Sequence, residues 1–462
     1  MVHQYKLNGY NIVIDTASGS VHSVDEVAYD IIEMYEQHSR EEIVREMMAR
    51  YGHREDVNEA EIEECLDDVA QLKEEGKLFS KDTYEGMAFD FKRTNTVIKA
   101  LCLHVAHTCN LNCEYCFASQ GKYHGERAIM TFEVGKRAID FLVEHSGSRR
   151  NLEVDFFGGE PLMNFDVVKQ LVAYGRSIEK EKNKHFKFTT TTNCVLMTEE
   201  IMDFLNKEMD NVVLSIDGRP EVHDRMRPTV NGKGSYEIIA ERAKKFAEKR
   251  GQQQYYVRGT FTGYNKDFGN DVLFLADQGF EQLSVEPVVT DPACEYALTE
   301  KDLPEILAEY DRLAEAYMER RANGKWFNFF HFMIDLEGGP CLRKRLTGCG
   351  AGNEYVAVTP EGDIYPCHQF VGREGFRMGS VLDGTFDGDI QKKFAANHVL
   401  NKEKCRDCWA RFYCSGGCAA NAHAFHGDIS QPYDMECQME RKRLECAMAI
   451  YAKERAARNN AE

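Results

Sequence analysis

Cys109, Cys113 and Cys116 lie in the run Cys-Asn-Leu-Asn-Cys-Glu-Tyr-Cys at the end of an apolar stretch. Thiolates at this spacing can hold three corners of a [4Fe–4S] cluster and leave the fourth iron open. A fully caged cluster stores or passes electrons, whereas an open iron can bind and reduce a substrate. Zinc is the competing occupant. It suits this loop poorly, because structural zinc closes its tetrahedron and no fourth ligand lies in register. Further along, residues 154–157 form a short, largely apolar run that ends in Gly158-Gly159-Glu160-Pro161. This reads as a strand emptying into a glycine turn that carries a carboxylate, and glycine lets backbone approach a ligand closely. Alone, the tetrapeptide is compatible with an ordinary turn.

Residues so far apart in sequence need a scaffold that gathers loops at one end. Apolar or β-branched segments recur at 100–105, 154–157, 186–192, 212–216, 255–262 and 283–289. Amphipathic stretches at 132–144, 165–180 and 236–250 lie between them, the alternation expected of parallel βα units. Six strands are too few to close an eight-stranded barrel. Chemistry in such folds sits at the carboxyl ends of the strands, which nominates Thr192 and Asn193 after the third and Ser215 and Asp217 after the fourth.

The cysteine loop and the Gly-Gly-Glu-Pro turn together resemble the radical S-adenosylmethionine enzymes. The resemblance implies an α/β fold built on an open (β/α)6 partial TIM barrel over residues 97–325. Its open iron would chelate the amino and carboxylate groups of S-adenosylmethionine. Cofactor contacts are then expected from Tyr115, Gly158, Gly159, Glu160, Thr192, Asn193, Ser215 and Asp217. Arg227, in His-Asp-Arg-Met-Arg, matches the arginine that pairs with the cofactor carboxylate in similar enzymes. A planar guanidinium fork suits that task better than an ammonium. The plain alternative is a surface arginine in a loop.

Most remaining cysteines crowd the C-terminal third, at Cys341, Cys349, Cys367, Cys405, Cys408, Cys414, Cys418 and Cys437. The order Cys349, Gly362, Cys367, then Cys-x2-Cys-x5-Cys-x3-Cys over 405–418, then Cys437, resembles the cysteine-rich SPASM extension of the same enzymes. Over residues 326–450 it implies two auxiliary [4Fe–4S] clusters, three clusters in all. Cys349, Cys367 and Cys418 would serve the first auxiliary cluster, and Cys405, Cys408, Cys414 and Cys437 the second. Cys341 is either the fourth ligand of the first or a bystander to an open iron that takes a substrate thiolate. In isolation the 405–418 block also fits paired zinc. Interleaved ligands would tie distant segments together and contribute folding free energy. Cys65, Cys102, Cys194, Cys294 and Cys446 have no ligand spacing and read as small buried hydrophobes or free thiols.

Residues 1–85 carry none of this chemistry. Short strands at 5–7, 11–15 and 20–23 precede helical patterns at 24–36, 40–51 and 58–75, with Ile62, Leu66, Val69 and Leu72 on one face of the last. Three strands followed by three helices resemble the winged-helix-like peptide-recognition domain of enzymes that modify ribosomally made peptides. That likeness implies a leader peptide bound as an added strand. DNA is the competing ligand of a winged helix, but acidic residues far outnumber basic ones over 40–80 and would repel it. Residues 86–96 read as a linker.

A length of 462 residues accommodates two or three domains. The first ten residues hold no apolar signal core and no stretch approaches a membrane span, so a cytoplasmic protein without a membrane partner is expected. Sixteen cysteines in a reducing compartment argue for metal ligation over disulfides, and oxygen-sensitive clusters point to an anaerobic host. A formal charge of −19 disfavours nucleic acid, which needs a basic footprint.

Taken together, the chain resembles SPASM peptide maturases that join cysteine sulfur to carbon, in particular the maturase of the six-cysteines-in-forty-five-residues peptide, which installs Cys-to-Thr thioethers. The resemblance implies reductive cleavage of S-adenosylmethionine to methionine and a 5′-deoxyadenosyl radical, hydrogen abstraction from a substrate carbon, attack by a substrate thiolate, and transfer of the surplus electron to an auxiliary cluster. It also implies an external donor such as flavodoxin or ferredoxin. One alternative is a sulfatase maturase, which makes formylglycine with the same barrel and clusters. In that family an aspartate serving as base follows the cysteine matching Cys367, where this chain has His368, and the leader-binding domain is foreign to it. The other alternative is a non-catalytic, metal-stabilised peptide carrier, which would need neither the Gly-Gly-Glu-Pro turn nor Arg227.

Overall fold

The computed structural model describes residues 1–83, 97–336 and 342–459; the 86–96 linker and Cys341 lie outside the described residues. At the N-terminus, β1 (Val2–Leu7), β2 (Tyr10–Asp15) and β3 (Ser20–Val24) pair antiparallel in that order. Helices α1 (Glu26–Met34), α2 (Arg40–Tyr51) and α3 (Glu59–Glu74) follow. Their starts are set by local chemistry. Asp25 and Asn58 cap α1 and α3, and Ser39 with Glu42 forms a reciprocal capping box on α2. Two-residue alternation splits β2 between two cores. Val13 packs with Ile31, Ile43, Met47, Ile62 and Leu66 beneath the helices, whereas Ile12 and Ile14 face the body of the protein.

The body is built on parallel strands β4 (Ala100–His107), β6 (Asn151–Gly158), β7 (His185–Thr192), β8 (Asn211–Ser215), β9 (Tyr255–Phe261) and β10 (Gln282–Pro287), with β5 (Ala128–Ile129) pairing antiparallel to β4. Between them run α4 (Phe132–His145), α5 (Phe165–Lys182), α6 (Glu199–Glu208), α7 (Pro220–Met226), α8 (Tyr236–Lys249) and α9 (Phe268–Asp277), followed by α10 (Leu303–Ala322). All six strands expected from sequence are present, in the order in which they occur. Two parallel neighbours extend the array: β11 (Asn328–Phe329) beside β10, and β12 (Tyr355–Val358) beside β4. Strands of two and four residues fall below any periodicity that sequence can show.

After α11 (Leu342–Thr347) and β12, the strands β13 (Asp363–Tyr365), β14 (Gly379–Ser380) and β15 (Thr385–Phe386) continue the same sheet antiparallel. The cysteine-rich region is therefore welded to the first barrel strand. Helices α12 (Gly388–Ala395), α13 (Glu403–Arg406), α14 (Arg411–Cys414), α15 (Ala419–His426) and α16 (Asp434–Asn459) complete it. Long α16 packs on α10 and on the N-terminal sheet, where Tyr5 donates to the Glu445 carbonyl at 2.7 Å. No described helix is long and apolar enough to cross a membrane.

Candidate functional site

The register of the parallel strands stacks Cys102 of β4, Asp155 of β6 and Thr189 of β7 in one layer. Along β6, Leu152, Val154 and Phe156 are buried among the surrounding hydrophobics, while Asp155 and Phe157 border a cavity of about 560 Å³. Its wall runs from Cys109, Cys113, Tyr115 and Cys116 on one side to Tyr355, His368, Gln369 and Asn421 of the C-terminal region on another.

The three-cysteine loop leaves β4 and is clamped at both flanks. Asn112 and Glu114 donate backbone bonds to the Pro228 and Met226 carbonyls at 2.8 and 2.9 Å. On the other side, the amides of Gly159 and Glu160 bond Ala106 and Thr108 at 2.7 and 2.9 Å. Gly158 sits at φ +130°, and a Cβ there or on Gly159 would collide with the carbonyl of Ala106 or Thr108. The two glycines are thus needed for the close crossing of strand end and loop.

Glu160 is buried and accepts from the Leu162 amide at 3.0 Å, the Thr192 hydroxyl at 2.8 Å and the Asn193 amide at 2.8 Å. Burial pushes its carboxyl up to about 7 against these donors. Asn193 Nδ2 reaches Asn110 Oδ1 at 2.7 Å and Cys109 Sγ at 3.7 Å. Ser215 borders the cavity from the end of β8. Asp217 does not. It is fully buried behind the wall, accepting from Tyr115 Oη at 2.7 Å, Arg227 Nε at 3.0 Å and the Thr260 amide at 2.9 Å. Of the residues expected to touch cofactor, Asp217 therefore anchors two others, and Arg227 is an inward-facing side chain rather than a surface one.

The C-terminal thiols fall into two neighbourhoods. Cys367 and Cys418 lie close to each other and to Cys349, while Cys437 lies near Cys405 and Cys408, and Cys414 near Cys437. All fifteen described cysteines are free of disulfides. The donor chemistry fits iron–sulfur groups. Buried Asn110 Nδ2 stands beside the loop without a partner, as a donor to a thiolate or sulfide would, and buried Lys402 lies among Cys405, Cys414 and Cys418. Among the described residues no trio of His, Cys, Asp or Glu side chains converges on a single ion.

Several wall residues escaped the sequence reading: Asp155, Arg258, Glu286, Tyr355, Glu436 and Arg443. An acid inside the apolar run before the glycine turn was a usable signal for Asp155. Arg443 gave none, because its role depends on α16 folding back across the barrel. There it donates to Tyr310 Oη at 2.9 Å and approaches Glu286 at 3.8 Å.

Three families match this chain: the 4Fe-4S single cluster domain over 99–239, coenzyme PQQ synthesis protein D over 11–73, and the SPASM iron–sulfur cluster-binding domain over 349–409. The radical SAM cyclopropyl synthase TigE of Paramaledivibacter caminithermalis is 24% identical over 358 residues, 73% of this chain and 71% of that one. In fold, native anSMEcpe with bound AdoMet and Cp18Cys peptide aligns at TM-score 0.63 and 23% identity, covering 79% of this chain and 99% of its own. Streptococcus suis SuiB bound to precursor peptide SuiA aligns at TM-score 0.50 and 17% identity, covering 95% and 98%. With a PqqD-type domain ahead of the cluster-binding barrel and a SPASM region behind it, the chain belongs to the radical SAM/SPASM-domain peptide maturases.

Proposed function

We propose that this enzyme forms Cys-to-Thr thioether crosslinks in a ribosomally made cysteine-rich peptide, in the cytoplasm, with electrons from a flavodoxin or ferredoxin. The observation that carries this reading is the single cavity bordered both by the Cys109–Cys113–Cys116 loop and by His368 and Gln369, next to Cys367. A carbon and a sulfur of one peptide can meet there.

In this reading Cys109, Cys113 and Cys116 hold one [4Fe–4S] cluster; Cys349, Cys367 and Cys418, with Cys341 as the candidate fourth ligand, hold a second; and Cys405, Cys408, Cys414 and Cys437 hold a third. When bound, these groups and S-adenosylmethionine supply a one-electron reductant, a hydrogen-abstracting radical and an acceptor for the surplus electron. The chain's own residues bind and orient. Arg227 meets the cofactor carboxylate, Glu160 its amino group, and Thr192, Asn193 and Ser215 flank it, while Asp217 fixes Arg227 and Tyr115 from behind. Gly158 and Gly159 let the backbone approach. Residues 1–85 bind the leader peptide as an added strand.

Anaerobic reaction with the cysteine-containing precursor peptide encoded beside the gene, followed by mass spectrometry, tests this. Loss of two hydrogens per bridge with sulfur retained is expected. Replacement of a cysteine by formylglycine would establish the sulfatase-maturase reading instead, and an unmodified peptide would refute both.

A further inference from the structure

Four carboxylates border the cavity: Asp155, Glu160, Glu286 and Glu436. Three are already committed. Glu160 accepts two backbone amides and the Thr192 hydroxyl. Burial disfavours charge on Glu286, yet neighbouring His331, Arg443 and Arg258 outweigh it and hold the group ionised well below the ordinary carboxylate range. Glu436 accepts from the Cys418 amide at 3.2 Å and Asn421 Nδ2 at 3.1 Å.

Asp155 is different. Its Oδ1 accepts one hydroxyl bond, from Thr189 at 2.8 Å, and its Oδ2 meets the weak thiol donor of Cys102 at 3.9 Å. Among the described residues no cation stands within ion-pair distance of it. Cys102 adjoins both Asp155 and Cys367, and Tyr355, also beside Cys102, lies 3.4 Å from His368 Nδ1 through its hydroxyl. The one uncommitted carboxylate thus faces the part of the wall nearest Cys367.

We propose that Asp155 is the proton acceptor for the substrate thiol, an inference that rests on the thioether reading above. The thiol S–H bond breaks, its proton passes to an Asp155 oxygen, and the electron pair stays on sulfur. The thiolate then bonds to the carbon from which a hydrogen atom has been removed, and the surplus electron goes to the acceptor that the thioether reading names. The proton leaves to solvent when product departs. Electrostatics agree with the task. Burial pushes the Asp155 carboxyl up to about 6, with Glu153 on the same strand adding to the rise, and the Thr189 bond, the Arg258 charge on β9 and the Cys102 contact working against it. Tyr355 on β12 is a further titratable neighbour. A base titrating near the working pH is where general-base catalysis is most effective.

The test uses the reconstituted holoenzyme and the same precursor peptide. Asp155→Asn should lower thioether formation by about 10²-fold or more at neutral pH while iron content and 5′-deoxyadenosine release stay within a few-fold. Its residual rate should climb with pH as the substrate thiol, near 8.5 when unperturbed, ionises unaided. Thr189→Val removes a donor to the carboxylate and should move the acidic limb of the wild-type pH profile upward. An isotope-edited infrared carboxyl band titrating near pH 6 in the wild type should vanish in Asp155→Asn, a readout independent of turnover. Crosslinking by Asp155→Asn at the wild-type rate, or loss of 5′-deoxyadenosine release along with the crosslink, overturns the assignment. If the wild type itself makes no thioether, the functional reading fails first.

Discussion

At the scale of residues, the thiol loop is braced from behind by a buried ionic knot. Asp217 is fully buried, and both Arg227 and Tyr115 depend on it for orientation. The Arg227 ring contact with Tyr115, 5.3 Å from guanidinium to centroid, adds a second constraint. Asp217→Ala leaves a buried guanidinium uncompensated, which costs about 3–5 kcal/mol in comparable buried pairs. A fall of that size in unfolding free energy should accompany weakened S-adenosylmethionine binding in this variant. Arg227→Lys should behave differently, keeping the charge and most of the stability but losing the fork. Removing a charge-assisted bond of about 1.5–3 kcal/mol weakens cofactor binding roughly ten- to a hundredfold, measurable by equilibrium dialysis. Sequence indicated Arg227 through its motif, but whether Asp217 faced the cavity or its back could not be read from spacing. That depends on the twist of β8 against β9, where the Thr260 amide takes the carboxylate.

At the scale of elements, the barrel strands and the N-terminal helices were legible because each is long enough to show its period. The strands β11 and β12 were not, since their pairing with β10 and β4 is a tertiary event. The same holds for the second face of β2, where the consecutive apolar residues Ile12, Val13 and Ile14 do not say what covers each side. The structure supplies the cover: Ile12 and Ile14 join the main core, and His3 stacks on Trp409 with centroids 4.1 Å apart. Removing residues 1–85 would therefore bare apolar surface on the body, so the truncated protein is a poor test of leader binding by itself. Ile12→Ala and Ile14→Ala should each cost about 2–5 kcal/mol, as truncations of fully buried branched residues do. If the N-terminal module unfolded independently of the body, these substitutions would leave the main thermal transition unmoved.

At the scale of the whole molecule, the cysteine-rich region is not an appendix. It adds strands to the barrel sheet through β12, sends α16 back across α10, and delivers Tyr355, His368 and Arg443 to the same cavity that the thiol loop borders. The family resemblance implied a grouping of those cysteines, but nothing in their spacing said that their region would close one side of the active cavity. The three clusters proposed above give a prediction for total metal content, about twelve irons per chain after anaerobic reconstitution. Changing Cys109, Cys113 and Cys116 together to alanine should remove about four irons and abolish S-adenosylmethionine cleavage while the other eight remain, because the C-terminal thiols form separate neighbourhoods. Cys341→Ala then decides the remaining ligand. Retained iron and crosslinking would mean that the Cys349–Cys367–Cys418 set keeps a position open for a substrate sulfur. Loss of iron and activity would mean a closed set that serves as an electron acceptor alone. Stoichiometric zinc with little iron in the purified protein would refute the three-cluster assignment altogether.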